Sequence, residues 1–280
     1  MIIWIASYPK SGNTWVRAFI SAYYFTEDGI FNPEKLKLIP DYPNQNFLDN
    51  RKIKHGEIYK FWEISQKKIA TKKKIKFLKT HNALIAAHGK QFTSSKYTLG
   101  AIYIVRDPRN VVTSIKHHYD FSNYEDALNF LMDDNTYVWG FNNNYSKSQI
   151  ITSWKINYLS WIEKNNSVKK ILVKYEDLVE NPVKTFEKII NFVNKITNKN
   201  EKINKKKFTN AIETTSFEKM QDVEKLGHFE EKVYSEKTLK KKKFFYLGPN
   251  NNWKKVLDKE IINKINEIYK EQLKNLEYEF

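Results

Sequence analysis

Short runs of consecutive apolar residues alternate along the chain with stretches in which apolar positions recur every three or four residues. Ile2–Ala6, Ile75–Leu78, Ala101–Val105 and Ile171–Val173 are the short runs. An unbroken apolar run fits a strand buried on both faces, as in a parallel sheet. The helical period is carried from Thr14 to Tyr24 by Trp15, Ala18, Phe19 and Ala22. From Gln149 to Glu163 it is carried by Ile150, Trp154, Tyr158 and Trp161. Pro182 to Val193 follows an Asn181-Pro182 start signal, with proline in the first turn. Asp258 to Leu276 reads as one long final helix on Ile261, Ile262, Ile265, Ile268 and Tyr269. The alternation predicts an α/β fold in which helices flank a central parallel sheet. Phe31–Arg51, with Pro33, Pro40 and Pro43, and Lys240–Asn252 are predicted loops. Loops of this length are often lids or binding segments. Neither an internal repeat nor a domain boundary is evident, so residues 1–280 are expected to form a single domain.

Composition changes this picture little. Hydrophobic residues at 41% and aromatics at 15% supply a packed interior and exclude wholesale disorder. The absence of cysteine excludes disulfides, zinc–thiolate sites, iron–sulfur clusters and a cysteine nucleophile. The start of the chain lacks a basic leader, and no apolar stretch approaches the ~18 residues of a membrane span. The expected location is cytoplasmic, with no transmembrane segment.

Charge is less easily read. Lysine and arginine number 48 against 32 acidic residues, a formal +16. The only arginines are Arg17, Arg51, Arg106 and Arg109. Proteins that read nucleic acid specifically tend to use arginine, whose planar fork binds phosphates and guanines bidentately. The lysine excess therefore reads either as a solvated surface or as attraction to polyanions, and no specific nucleic-acid partner is expected. The oligomeric state is not legible.

Candidate chemistry begins where the first run ends. Ser7-Tyr8-Pro9-Lys10-Ser11-Gly12-Asn13-Thr14-Trp15 joins a buried strand to a helix through a glycine-containing turn. Such a turn presents backbone N–H groups and the positive end of a helix dipole to an anion. Ser, Asn and Thr are also ordinary capping residues, but capping does not call for a lysine within the turn. This is not a Walker A loop, because the lysine precedes the glycine and no earlier glycine is present.

Two more segments sit at predicted strand ends. Ala101–Val105 ends in Arg106-Asp107-Pro108-Arg109, with Ser114 about two helical turns further on. Ligands of open parallel sheets bind at that edge. The alternative is an Arg106–Asp107 pair capping a helix. Ile75–Leu78 runs into Lys79-Thr80-His81. A histidine there is placed for proton transfer near neutral pH, although lone histidines are often structural. His117 and His118, on the Ser114 helix, are placed to line the same cleft; His55, His88 and His228 lack such placement.

Taken in order, these segments resemble sulfotransferases that use 3′-phosphoadenosine 5′-phosphosulfate. Tyr8–Trp15 is similar to the family's 5′-phosphosulfate loop. Arg106 and Ser114 match its 3′-phosphate motif, and Lys79-Thr80-His81 its Lys-Thr-His motif. Tyr175 falls in a matching Tyr-Glu-Asp-Leu segment, and Thr215 and Phe217 in a Thr-Ser-Phe segment near the adenine. Gly248, Trp253 and Lys254 keep the spacing of a C-terminal clamp, but Tyr246 and Leu247 stand where relatives carry Arg-Lys. Lys240–Lys243 lie nearby without matching that spacing.

The resemblance implies transfer of a sulfuryl group to an acceptor hydroxyl or amine, with 3′-phosphoadenosine 5′-phosphosulfate as donor and no metal. Lys10, Ser11, Gly12, Asn13, Thr14, Trp15, Arg106, Ser114, Tyr175, Thr215, Phe217 and Gly248 would bind the donor. His81 would be the general base, Lys10 would stabilise the leaving phosphate, and Lys79 would assist. The alternatives are a P-loop kinase or NTPase and a non-enzymatic polyanion binder. The acceptor, whether alcohol, amine or glycan, is not legible. Tyr119, Phe121, Tyr124, Phe130, Tyr137, Trp139, Phe141 and Tyr145 form either its pocket or ordinary core.

Overall fold

The computed structural model describes the chain except residues 50, 72–73, 141–143, 163–167, 230, 232, 235–237 and 239. Four strands form the central sheet: β1 (Ile2–Ser7), β2 (Lys76–Thr80), β3 (Thr98–Val105) and β4 (Lys170–Lys174). Their spatial order is β2-β1-β3-β4, all parallel. Every residue of β1 is buried, which is why its sequence is a continuous apolar run. Alternate side chains feed opposite layers. Ile2, Trp4 and Ala6 join one core cluster and Ile3 and Ile5 the other.

Helices cover both faces. Asn13–Phe25 and Pro182–Ile196 pack on the Ile3–Ile5 side through Phe19, Phe186, Ile189 and Val193. Trp154–Ile162 and Lys259–Ile268 pack on the Trp4 side through Trp154, Tyr158, Trp161, Ile261 and Ile265. Leaving β1 the chain goes to β2 on one side; leaving β3 it goes to β4 on the other. That divergence opens a crevice beyond the carboxyl ends of β1 and β3, where ligands of such sheets bind.

Three expectations are corrected. The stretch Gln149–Glu163 is not one helix. Ile150 ends a strand, Asn144–Ile150, paired antiparallel with Tyr137–Gly140, and the helix starts only at Trp154. Residue 163 lies outside the described residues. The final helix is two, Lys259–Ile268 and Lys270–Asn275, separated at Tyr269. Tyr269 packs on Trp154 and donates its hydroxyl to Leu131 O, so tertiary contacts set the break. The predicted Phe31–Arg51 loop contains two 3₁₀ segments, Pro33–Leu38 and Gln45–Phe47. It also extends the sheet edge: Lys79 N donates to Pro40 O and Tyr42 N to Lys79 O.

No helix among the described residues is long and apolar enough to cross a membrane.

Candidate active site

A cavity of about 670 Å³ opens at the carboxyl ends of the strands. Lys10, Gly12, Asn13, Thr14, Trp15, Lys79, His81, Arg106, Ser114, Tyr175, Thr215, Phe217 and Gly248 all line it. Ser11 is the one expected site residue that does not; it is fully buried and its Oγ has no hydrogen-bond partner among the described residues.

The loop after β1 takes its shape from two left-handed residues, Lys10 (φ 65°) and Gly12 (φ 98°). Glycine is required at 12 on a second count, since a Cβ there would stand 2.5 Å from the Tyr175 ring. Asn13 spends its amide inward, Nδ2 donating to Ile5 O (3.0 Å) and Ser7 Oγ (3.2 Å). This ties the turn to the strand it leaves. Lys10 Nζ reaches into the cavity, donates to His118 Nδ1 at 3.4 Å and lies 4.3 Å from the Phe244 ring centre. Burial pulls its pKa down to about 8, against an opposing pull from Glu231.

Arg106 ties the segments together. Its guanidinium donates to Lys10 O (3.2 Å), Ser114 Oγ (3.3 Å) and Gly248 O (3.0 Å), and it lies 4.1 Å over the Tyr175 ring. Its Nε is buried with no partner among the described residues. The alternative pairing with Asp107 is not observed. Asp107 instead binds Arg109 through both carboxylate oxygens, and Arg109 stacks 4.0 Å from the Trp253 ring. Arg109 is therefore a buried structural residue. Gly248 (φ 52°) lies against the Phe217 ring, where a Cβ would meet ring carbons at 2.1–2.4 Å.

His81 is held from several sides. Its Nδ1 lies 2.8 Å from the Ser7 carbonyl oxygen, which only accepts, so Nδ1 carries the proton and Nε2 keeps a lone pair. Its backbone N–H donates to Gln149 Oε1 (2.5 Å), and its carbonyl accepts from Asn157 Nδ2 (3.0 Å). Burial, then the charge of Lys79, pull its pKa down to about 3. Lys79 pairs with Asp41 at 3.2 Å. Burial raises the Asp41 carboxyl, but Lys79 and Arg17 outweigh it and hold it well below the carboxylate range.

The aromatic-rich segment divides. Tyr119, Phe130, Tyr137 and Trp139 line the cavity, whereas Phe121, Tyr124 and Tyr145 pack around the core. Phe141 lies outside the described residues. His117 and His118 also line the cavity, and His117 stacks on Tyr246, centres 3.9 Å apart. Lys241–Lys243 face elsewhere, a second cleft of about 310 Å³ with Lys225 and Glu224. Lys242 is paired there with Asp120 at 3.0 Å.

Several residues of the site have no signal in the sequence. Asn251 holds Ser114 (3.2 Å) and Thr113 (2.8 Å). Glu231 lines the cavity and accepts from Thr14 Oγ1 at 3.2 Å. Only Arg17, a scarce cation on an apolar helix, offered a hint; it pairs with Glu231. No group of three or more acidic or histidine side chains able to hold a metal occurs among the described residues.

Parallel strands ending in a glycine turn, a cavity lined by Lys10, Lys79 and Arg106, and a histidine Nε2 with its lone pair are features that a group transferase acting on an anionic donor would need. The sulfotransferase domain model matches residues 2–277, and the chain belongs to that family of sulfuryl-transferring enzymes. Flavonol 3-sulfotransferase of Flaveria bidentis is 25% identical over 97% of this chain and 81% of its own length. Luciferin sulfotransferase of Photinus pyralis is 22% identical over 96% and 70%. Mouse sulfotransferase SULT7A1, solved in complex with PAP, superposes with a TM-score of 0.62 at 21% identity, covering 98% of this chain and 85% of that one.

Proposed function

We propose that the enzyme moves a sulfuryl group from 3′-phosphoadenosine 5′-phosphosulfate to an acceptor hydroxyl or amine, with His81 as general base. The observation that carries this reading is one cavity wall. It joins Lys10, His81 and Arg106, which arrive from the ends of three adjacent strands. The donor supplies an activated sulfuryl group on a phosphate leaving group. Lys10, the Thr14 hydroxyl and the turn's N–H groups bind the phosphosulfate and neutralise charge on the departing oxygen. Arg106 and Ser114, joined at 3.3 Å on the cavity wall, bind the 3′-phosphate. Trp15, Tyr175 and Phe217 form the aromatic wall for the adenine; stacking of this kind is worth about 1–3 kcal/mol per base.

At the reacting end, His81 Nε2 accepts the acceptor's proton as its oxygen or nitrogen attacks sulfur in line with the leaving oxygen. Ser7 keeps the tautomer that makes this possible. Lys79, anchored by Asp41, adds positive charge beside the transferring group. Such transfer asks mainly for positioning and charge stabilisation. The wall of Tyr119, Phe130, Tyr137 and Trp139 is the acceptor's side.

The test has two arms. Calorimetric binding of 3′-phosphoadenosine 5′-phosphate (PAP), ATP and an oligonucleotide should give preference for the first. ATP preference would favour a kinase-like enzyme, and oligonucleotide preference a polyanion binder. A pool of phenols, alcohols and amines with labelled donor should then yield a sulfated product.

A further inference from the structure

Glu231 stands in the wrong place for an anionic donor. Its carboxylate occupies the Thr14 hydroxyl at 3.2 Å, and Thr14 belongs to the turn read above as the phosphosulfate site. The same carboxylate is bound by Arg17, one turn further along the helix. Arg17 is 4% exposed and fixed in place by a second bond to Ile39 O at 3.0 Å. Glu231 itself is carried on a distant part of the chain, 217 residues from Thr14, beyond the helix Phe217–Lys225. Burial raises its carboxyl, but Lys79 and Arg17 outweigh this and keep it ionised.

We propose that Glu231 is an internal anion which holds Thr14 in the empty enzyme and which the donor's phosphosulfate must displace. The inference rests on the donor reading above. Two anions cannot share one hydroxyl donor, and a carboxylate beside a bound phosphosulfate is repelled by it. Arg17 keeps Glu231 within reach, so that release of product lets the carboxylate return. Glu231 thereby opposes tight retention of the spent nucleotide, and it selects for a ligand charged enough to outcompete a carboxylate.

Calorimetry with PAP on the parent, Glu231→Gln, Thr14→Ala and the double variant tests this. Glu231→Gln is expected to bind PAP about tenfold more tightly, equivalent to about 1.4 kcal/mol. In the Thr14→Ala background the gain should largely vanish, because the contested hydroxyl is gone. A general loss of negative charge would improve binding equally in both backgrounds, and that result overturns the proposal. So does unchanged or weaker binding by a folded Glu231→Gln. If Glu231→Gln fails to fold, a crystal structure of the parent with PAP decides. Thr14 Oγ1 should then be free of Glu231, and a retained bond overturns the displacement. If no variant binds PAP, the donor reading falls and the displacement with it; PAP binding that ignores Glu231 sinks the displacement alone.

Discussion

His81 Nδ1 and the carbonyl oxygen of Ser7 lie 2.8 Å apart. Ser7 is the last residue of the strand that feeds the phosphate turn, so the tautomer of the proposed base is fixed by the element that positions the proposed donor site. His81→Gln should keep PAP affinity, because the proposed role of the imidazole is to take the acceptor's proton. Single-turnover transfer should fall by roughly 10²–10⁴-fold. The measurement pairs calorimetry with rapid quench on protein of unchanged melting temperature. A rate close to the parent's would remove His81 as base and leave His118 as the next candidate.

The imidazole's own titration is a second check. Burial and Lys79 hold its pKa down to about 3 in the empty enzyme. Bound phosphates bring negative charge to the same cavity and offset Lys79, so nucleotide binding should raise that pKa. Histidine chemical shifts followed with pH, with and without PAP, would show the upward move. No change would mean the nucleotide sits elsewhere.

Lys10 is expected to cost stability at the place where it is proposed to help catalysis. Its folded pKa of about 8 lies below the ordinary lysine value of 10.5. The unfolded chain therefore binds that proton more readily. The penalty is fully present below about pH 8 and fades as pH rises toward 10.5. Lys10→Met should melt above the parent at pH 7, with the gap narrowing in alkali, while turnover is nearly abolished. Calorimetric scans across that range, beside activity at saturating donor, decide it.

Arg106→Ala and Ser114→Ala should weaken PAP far more than adenosine 5′-phosphate. Both face the proposed 3′-phosphate position. An equal loss for both nucleotides would assign them to some other role. Arg106 also bridges Lys10 and Gly248, so Ser114→Ala is the cleaner of the two.

Gly12→Ala should be destabilising by about 1–3 kcal/mol from its left-handed backbone alone, and the Tyr175 ring adds a clash. Nucleotide binding should fall with it. Unfolding in denaturant, with and without Tyr175→Ala, separates backbone strain from the ring contact.

Much of this was legible in the sequence, and the illegible parts share a cause. The strands were readable because burial on both faces makes them uniformly apolar, as in Ile2–Ala6. Arg106 was readable because it follows such a run directly, and Lys10 and His81 because each comes within one short turn of one. Ile150 was misassigned because it continues a helical period, while its actual partner is Tyr137 across a hairpin. Gln149, Asn251 and Glu231 are polar residues in unremarkable surroundings. They acquire their roles through contacts 68, 137 and 217 residues away, and no local pattern encodes those.

Arg106 binds Lys10, 96 residues before it, and Gly248, 142 residues after it. A chain cut before Phe244 keeps the glycine turn but loses the part of the cavity wall that Phe244 to Gly248 supply. A nascent or C-terminally truncated chain would carry the motif without the affinity. Because a ligand stabilises only the form that binds it, the nucleotide should slow proteolysis of the whole chain and leave the cut one unprotected.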